Sequence, residues 1–346
     1  MVSELPEPLT GPWRLRDLPP PADDAPTVFS CFHCGGGSTM GYKLAGCRVL
    51  GGVEIDPAMM AVYRANHHPK HSYLMGVGDF VKIPDADLPA ELFDLDILDG
   101  SPPCSSFSTN GARDKKWGKK AHFREGQAKQ VLDDLFFDFI DVAEKLKPRV
   151  VVAENVRGLI VGKARGYVKA IFRRFKAAGY RCQLFLLNAS RMGVPQARER
   201  TFFVATREPL PRLSLSFGEA LTSASEAMSG APLIATGKPI TGARLPVWRR
   251  TRPGKSLGTQ HPKGHWFSRV KLDPLSPAMT VTAAAAGDML HWSEPRSIHG
   301  GEALRLQTFP DDYNFGTQKP HYMVGMSVPP FMMQRVALEI RRQWRM

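Results

Sequence analysis

Cysteine is scarce in this sequence, and long apolar runs are missing from it. The five cysteines are unevenly spaced along 346 residues, which argues against a disulfide framework and favours reduced thiols. No uninterrupted apolar stretch approaches the roughly 18 residues that a membrane-spanning helix needs. Residues 1–26 lack the basic start and apolar middle of a signal peptide and are rich in proline. We therefore expect a cytoplasmic protein with no membrane partner and an N-terminal arm over 1–26, either mobile or lying on the surface.

Acidic residues are fewer than basic ones, and the excess of positive charge is localised. The formal net charge is +13. Residues 207–273 hold 11 Lys/Arg against 4 Asp/Glu, and residues 105–126 hold 6 against 2. A concentrated basic surface favours a polyanionic partner, because each phosphate contact releases counterions. A solvated basic face that serves only solubility is the alternative interpretation.

The first 207 residues alternate short apolar runs with helical periodicity, which is typical of a parallel sheet covered by helices. The predicted strands are Thr27–Phe32, Arg48–Ile55, Leu95–Leu98, Val150–Ala153, Cys182–Leu187 and Thr201–Ala205. The predicted helices are Gln127–Lys147, Gly162–Ala178 and Pro329–Arg342. Residues 208–275 are loop-rich, basic and dotted with Pro, Gly and Trp. We predict a catalytic domain over 27–207, a small inserted domain over 208–275, and a return to the first domain over 276–346.

Glycines and acids follow the first two predicted strands. Gly35–Gly37 come after the first strand, where glycine lets the backbone approach a ligand at a helix N-terminus. Glu54 ends the second strand, where an acid can bind both ribose hydroxyls of a nucleoside cofactor. Taken alone, this pattern fits a structural turn equally well, and it leaves a nicotinamide-dependent oxidoreductase open as a remote alternative.

A Pro-Pro-Cys turn follows the third strand. Proline fixes φ and offers no N–H, so Cys104 is held on a stiff backbone at the carboxyl edge of the sheet. Glu154 ends a neighbouring strand and is placed for proton chemistry, with plain solvated surface as the alternative. Gln196, Arg198 and Arg200 alternate along an extended segment, so we expect their side chains to share one face.

In this order, the features resemble the motif series of the DNA cytosine-C5 methyltransferases of bacteria and phages. The series runs through the Gly-rich loop, Glu-x-Asp, Gly-Asp-Phe, Pro-Pro-Cys, Glu-Asn-Val and Gln-x-Arg-x-Arg, and it ends with Gly301–Asp312 and Val324–Pro330. The resemblance covers about 27–205 and 276–340, and the gap lies where the family places its target-recognition domain. It implies an α/β fold of the S-adenosylmethionine-dependent methyltransferase kind, Rossmann-like, with a mostly parallel sheet and that small insertion.

The resemblance also implies an activity: methyl transfer from S-adenosyl-L-methionine to C5 of a cytosine flipped out of a specific duplex DNA sequence, with S-adenosyl-L-homocysteine as product. Cys104 would attack C6, Glu154 would hold the N3/N4 edge, and Arg198 and Arg200 would support the extruded base. The residues expected at the cofactor are Phe32, Gly35, Gly36, Gly37, Glu54, Ile55, Asp79, Phe80, Pro102 and Ser327. The residues expected at DNA, from the resemblance and the basic stretches, are Ser108, Lys115, Lys116, Lys119, Lys120, Gln196, Arg249, Arg250, Arg252 and Lys255.

Three positions depart from the family pattern. Ser30 stands where the family has Asp, Cys34 replaces the first Gly of the loop, and Met326 replaces an Asn. These changes bear on cofactor affinity and pocket shape, and they leave a catalytically weak DNA-binding regulator open as an alternative. The same chemistry on tRNA is the other alternative, because a basic insertion does not exclude it.

Candidate metal ligands are few. Cys31 and Cys34 have no second pair to complete a zinc site. His67, His68 and His71 cluster without partners, and we interpret them as a surface loop. We therefore expect no metal, and a monomer, with a dimer left open as the alternative. By its resemblance the protein is expected to be cytoplasmic, nucleoid-associated, bacterial or phage-encoded, and of the restriction-modification kind.

Overall fold

The computed structural model describes residues 5–103, 120–121, 130–131, 135–161, 165–266, 268–283 and 288–346. Five of the predicted site residues, Cys104, Ser108, Lys115, Lys116 and Lys119, lie outside the described residues. Within the described ranges, no helix is long and apolar enough to cross a bilayer.

The strands are short at the insertion and longer in the catalytic domain. In chain order they are β1 (Thr27–Cys31), β2 (Arg48–Glu54), β3 (His71–Leu74), β4 (Ile97–Gly100), β5 (Lys120–Ala121), β6 (Gln130–Val131), β7 (Val150–Val156), β8 (Arg181–Asn188), β9 (Gln196–Ala197), β10 (Glu199–Thr206), β11 (Val270–Lys271), β12 (Ala278–Met279) and β13 (Met289–Leu290). The α-helices are α1 (Gly37–Leu44), α2 (Pro57–His67), α3 (Val77–Val81), α4 (Leu135–Leu146), α5 (Arg165–Ala177), α6 (Ala224–Met228), α7 (Arg244–Arg250), α8 (Gly300–Leu306), α9 (Pro320–Met326) and α10 (Pro330–Trp344).

Seven strands form the central sheet in the order β3-β2-β1-β4-β7-β10-β8. All neighbours are parallel except that β10 runs antiparallel to both β7 and β8. The predicted α/β fold with a mostly parallel sheet is therefore confirmed. All six predicted strands are present, and the half-buried edge strand β3 was not predicted because its short sequence is not an apolar run. Since parallel strands end at one edge, the carboxyl ends of β1, β2, β4 and β7 meet there.

Alternate side chains of the sheet pack into two hydrophobic clusters, one on each face. Val28 packs with residues of α1, α2 and α10, whereas its neighbour Phe29 packs with residues of α3, α4 and α5. The predicted helix over 127–147 is wrong at its start, because Gln130–Val131 pairs with Lys120–Ala121 as an extended strand. Two apolar residues do not distinguish a helix from a short strand, whereas the sustained periodicity from Leu135 onward does.

A small hydrophobic cluster lies in the inserted region and extends to Leu290 beyond it. Trp248 is 7% exposed and packs with Ile240, Val247, Leu257 and Leu290. Its indole N–H donates to the carbonyl of His291, and the Nζ of Lys271 lies 4.0 Å from its ring centroid. Strand β11 pairs with β13, so hydrogen bonds join the insertion to residues that follow 276.

The N-terminal arm lies against the C-terminal part of the chain. The indole of Trp13 is buried and donates to the carbonyl of Thr308 at 2.9 Å. The amide of Leu15 donates to Asp312 Oδ1 at 2.7 Å, and the amide of Leu9 donates to the side chain of Gln334. Of the two predicted arrangements, the surface-lying extension is therefore the one observed over residues 5–26.

The close crossing of α1 and α10 gives a test of the packing. A Cβ on Gly41 would lie 2.4 Å from Met333 Cβ and 2.7 Å from the carbonyl oxygen of Pro330. Gly41→Ala should lower the free energy of unfolding by about 1–3 kcal/mol, because neither backbone can move freely. Gly166→Ala is the matched control, since an exposed helical glycine with open space around it should gain about 0.5–1 kcal/mol. Urea unfolding measures both, and a shift of the same sign in both would contradict this packing.

Candidate active site

The carboxylate of Glu54 is fixed at the tip of β2 by backbone donors. The amide of Cys34 donates to Oε2 at 2.9 Å, and the amides of Ile55 and Asp56 donate to Oε1 at 2.9 and 3.0 Å. The side chain is buried, and burial raises its pKa, although these amides oppose the shift. Because a carboxylate oxygen accepts two bonds, Oε2 keeps capacity for a further donor.

The loop Gly35–Gly37 passes between β1 and the C-terminal part of the chain. Gly36 has φ 86° and is the N-cap of α1, with no side chain capping the helix. The carbonyl of Gly35 accepts from the hydroxyl of Tyr313 and lies 3.3 Å from His67 Nε2. A Cβ on Gly37 would lie 2.3 Å from the carbonyl oxygen of Val328 and 2.8 Å from Ser327 Cβ. The loop is therefore held on both sides, and Ser327 lies against it.

The replacement of the family's first loop Gly by Cys34 is visible in the backbone conformation and in the contacts of the thiol. Cys34 has φ 51°, in the left-handed region that favours glycine, which costs a β-carbon residue about 1–2 kcal/mol. Its Sγ lies 3.5 Å from Met59 Sδ and 3.9 Å from Met323 Sδ, and burial raises its pKa to about 12. The described residues contain no group of three His, Cys, Asp or Glu side chains that could hold a metal ion.

The segment that leads to Cys104 is anchored by the Glu-Asn-Val strand. The side-chain amide of Asn155 donates to the carbonyl of Pro102 at 2.9 Å, and the amide of Ser101 donates to the carbonyl of Cys31 at 3.4 Å. Both bonds fix the backbone two to three residues before Cys104. Pro102 is buried and Pro103 half-buried at this edge.

Glu154 and Arg200 form an ion pair at the same edge. Glu154 Oε1 lies 2.9 Å from Arg200 Nε, and the two side chains are 11% and 14% exposed. They lie on the adjacent antiparallel strands β7 and β10. Of the three alternating residues, only Arg200 reaches this position.

Gln196 and Arg198 are both buried, and their expected roles at DNA and at the flipped base stay predictions. Gln196 donates to the carbonyl of Leu306 and to Gln307, and it accepts from the amide of Val281. Arg198 donates to three backbone carbonyls, those of Val281, Gly325 and Ser327, at 2.9, 3.3 and 3.0 Å.

A tight turn interrupts the segment that carries Gln196, Arg198 and Arg200. β9 ends at Ala197 and β10 begins at Glu199, and the amide of Arg198 donates to the carbonyl of Gln196 in a tight turn. This turn directs Gln196 and Arg198 into the core and leaves Arg200 facing Glu154.

Burial describes two other predicted positions, Phe80 and His67. The ring of Phe80 is fully buried between Phe29 and Tyr73, with centroids 5.6 and 5.0 Å away, and its expected role at the cofactor stays a prediction. Asp79 beside it is exposed and pairs with Lys82. His67 is buried at the end of α2 rather than in a surface loop, and its position four residues after Tyr63 is the helical signal that could have revealed this.

Asp99 is a buried carboxylate that was not predicted as a site residue from the sequence. Asp99 is 2% exposed, and it accepts from the hydroxyls of Ser30 at 2.7 Å and Tyr42 at 3.3 Å. Burial raises its pKa to about 7, whereas the hydroxyl bonds from Ser30, Ser38 and Tyr42 oppose that shift. The signal was an acid at the end of an apolar run, one residue before Gly100.

The basic residues predicted to meet DNA in the insertion are available for contact. Arg249, Arg250, Arg252 and Lys255 lie in the last turn of α7 and just beyond it, and all four are exposed. None of them forms an ion pair with another described residue. Lys120 lies in β5.

The edge fits S-adenosylmethionine. Glu54 has acceptor capacity on Oε2 for a ribose hydroxyl, and the first N–H groups of α1 lack intrahelical partners at an uncapped N-terminus. Phe32 and Ile55 are half-buried at the ends of the two strands that flank this site. These residues and Gly35–Gly37 would hold the cofactor.

Comparisons with known proteins agree with this geometry. A family model described as C-5 cytosine-specific DNA methylase matches residues 27–226 and 247–342. The chain is 31% identical over 356 residues to Type II methyltransferase M.FnuDI of Fusobacterium nucleatum, covering 91% of this chain and 94% of that protein. It is 27% identical to M.NgoPII of Neisseria gonorrhoeae, covering 91% and 95%.

Solved structures show the same fold. A chain described as a DNA modification methyltransferase encoded within an E. coli prophage superimposes with a TM-score of 0.70 at 20% identity, over 93% of this chain and 100% of that one. A DNMT2 mutant of Spodoptera frugiperda superimposes with a TM-score of 0.59 at 17% identity, over 91% and 99%.

A buried histidine beneath the loop predicts a pH dependence of stability. Burial lowers the pKa of His33 to about 4, although its bond to the Cys34 carbonyl opposes the shift. As the pH falls below 6.5, His33 takes up a proton in the unfolded chain but not in the folded protein. The free energy of unfolding therefore decreases between about pH 6.5 and pH 4. His33→Phe keeps a ring stacked on Tyr63 and should reduce the loss between pH 7 and pH 5 by about 2 kcal/mol.

Urea unfolding at both pH values measures this loss. His265→Phe, which removes an exposed histidine, is the control for losing one titratable group. An equal pH dependence in His33→Phe and the parent protein would refute the assignment.

Proposed function

The chain belongs to the C-5 cytosine-specific DNA methylase family, and from this premise we propose how it acts as a DNA cytosine-5-methyltransferase. It transfers a methyl group from S-adenosyl-L-methionine to C5 of a cytosine flipped out of a specific duplex sequence, through a covalent bond between Cys104 and C6. The observation that carries the proposal is the meeting of three elements at one sheet edge: the Glu54 loop, the segment anchored by Asn155, and the Glu154–Arg200 pair.

The chemistry requires these residue types. Cytosine C5 is a poor nucleophile, and addition of the Cys104 thiolate to C6 breaks the aromaticity of the ring and makes C5 enamine-like. Cysteine suits this step because it is both a soft nucleophile and a good leaving group. Bound S-adenosylmethionine supplies an electrophilic methyl group to C5. A base then removes the C5 proton, and elimination of the thiol restores the aromatic ring.

Glu154 and Arg200 are placed to bind the base. Glu154 holds the N3/N4 edge and stabilises the protonated ring, and the Arg200 guanidinium beside it donates to the base carbonyl. The pair is nearly buried, which strengthens hydrogen bonds to an inserted ring. Asn155 fixes the backbone that presents Cys104, and Arg198 acts from within the core as a positioning residue.

DNA is proposed to meet the basic stretches. Residues 208–275 form the target-recognition domain, in which Arg249, Arg250, Arg252 and Lys255 are exposed. Lys115, Lys116, Lys119 and Lys120, with Ser108, contact the backbone around the flipped base. Transfer of tritium from labelled cofactor to duplex DNA and not to tRNA separates this function from the RNA alternative, and calorimetry with the cofactor separates it from a non-catalytic regulator.

Cys104→Ser tests the covalent step. The variant should lose more than about 100-fold of the methylation rate, because an alcohol is a far weaker nucleophile near neutral pH. Binding of cofactor and of duplex DNA should be unchanged. Cys182→Ser, which alters a half-buried cysteine in the edge strand β8, should keep full activity. A Cys104→Ser enzyme with more than about a hundredth of the parent rate would remove the covalent assignment.

Three insertion arginines test the DNA-facing surface. Replacing Arg249, Arg250 and Arg252 with Gln should lower affinity for duplex DNA and flatten the plot of log affinity against log salt, by about 0.9 for each DNA phosphate that the variant no longer neutralises. The control replaces Lys169, Arg173 and Lys176, three exposed basic residues of α5, in the same way. Fluorescence anisotropy at several salt concentrations measures both slopes. Equal changes in this slope for the two triple variants would show that affinity for DNA depends only on the net charge of the protein.

A further inference from the structure

Asp99 is a carboxylate buried inside the sheet with hydroxyl groups as its partners. Ser30 and Tyr42 donate to its two oxygens at 2.7 and 3.3 Å, and the Ser38 side chain also hydrogen-bonds to it. Ser30 and Tyr42 are fully buried, and Ser38 is 6% exposed. Hydroxyl groups donating to an ionised acceptor make stronger bonds than neutral pairs do.

No cation compensates this charge within the described part of the chain, where Asp99 forms no ion pair. The titratable groups that act on it or respond to it are Cys31, Tyr42, Tyr63 and Glu154. Burying a carboxylate without a cation costs free energy. A leucine or serine at position 99 would avoid that cost. The benefit of the acid must therefore come from the elements that its hydrogen bonds hold together.

Asp99 joins the elements that make the active site. Ser30 is on β1, immediately before the cofactor loop. Ser38 and Tyr42 are on α1, whose N-terminus carries Gly35–Gly37. Asp99 itself is on β4, which runs through Gly100 into the segment held by Asn155. The hydrogen bonds of one carboxylate therefore link β1 and α1, which flank the cofactor loop, to the strand that leads to Cys104.

We propose that Asp99 is a positioning residue for the cofactor, a carboxylate transposed from position 30 to the neighbouring strand. Ser30 and Asp99 are register partners across β1 and β4, and their side chains are in hydrogen-bond contact, so an acid at position 30 would lie beside position 99. The replacement of the family's Asp by Ser30 then moves the charge to position 99 and does not remove it. This inference rests on the proposed use of S-adenosylmethionine.

The decisive variant exchanges the two residues. Asp99→Ser leaves the donors without an acid and should weaken binding of S-adenosylmethionine, measured by calorimetry, by about 10–100-fold. Ser30→Asp alone places two carboxylates side by side and should also weaken it. The double exchange Ser30→Asp with Asp99→Ser should restore the dissociation constant to within about 3-fold of the parent value. The KM for DNA should stay unchanged throughout, whereas the KM for the cofactor follows its dissociation constant.

A second measurement covers the case in which the exchanged protein does not fold. Asp99→Asn keeps the shape and removes the charge. Burial raises the pKa of Asp99 to about 7, so the affinity of the parent for the cofactor should increase as pH rises from 5.5 to 8.5. The increase in Asp99→Asn should be smaller, and the titration of the ligand itself is common to both proteins and cancels in the comparison.

The outcomes separate the two proposals. If the parent protein does not bind S-adenosylmethionine or methylate DNA, the proposed function fails. If the parent does both, and Asp99→Ser binds the cofactor as tightly as the parent, the inference about Asp99 fails alone. It also fails if the folded double exchange binds no better than Asp99→Ser, or if Asp99→Asn keeps the parent pH profile.

Discussion

The buried guanidinium of Arg198 links the C-terminal part of the chain to the end of the sheet. Arg198 donates to the carbonyls of Val281, Gly325 and Ser327, and Gln196 adds bonds to residues 281, 306 and 307. The segments held in this way carry Tyr313 and Ser327, which close the cofactor loop from the side opposite β1. A site assembled from residues 30 to 60 therefore depends on a polar junction more than 130 residues later in the chain. Buried donors that find carbonyls of distant segments specify one arrangement of those segments.

The sequence allowed the sheet and the positions at its edge to be predicted, because apolar runs and strand-end residues are local signals. Glu54 ends β2, and Glu154 lies two residues before the end of β7, at the edge where the parallel strands end. The antiparallel direction of β10 has no such signal, since it depends on how the chain returns after α5 and β8. The bonds of Gln196 and Arg198 to residues between 281 and 327 could not be predicted, because they depend on how a distant part of the chain packs against this segment.

Residues that act through tertiary contacts were the ones the sequence did not reveal. Asp99, His67 and Tyr313 gain their roles from partners 30 to 280 positions away. Tyr42 and Ser38 look like ordinary helix residues until β4 is placed beside α1. Cys34 is the opposite case, because its left-handed backbone agrees with the glycine that the family has at this position. The left-handed backbone conformation is kept at position 34, although the residue there is cysteine and not glycine.

The hydrogen bond between Ser30 and Asp99 also affects how such chains are recognised. A profile that scores each alignment column separately counts a serine in one column as a missing acid and an aspartate in the other as unrelated variation. In the arrangement proposed above, the requirement is one carboxylate at either of two facing positions, and a profile that scores the two columns jointly would express it. Relatives that carry the acid on either strand would then be grouped by the geometry they share, and single-column motifs would no longer divide them.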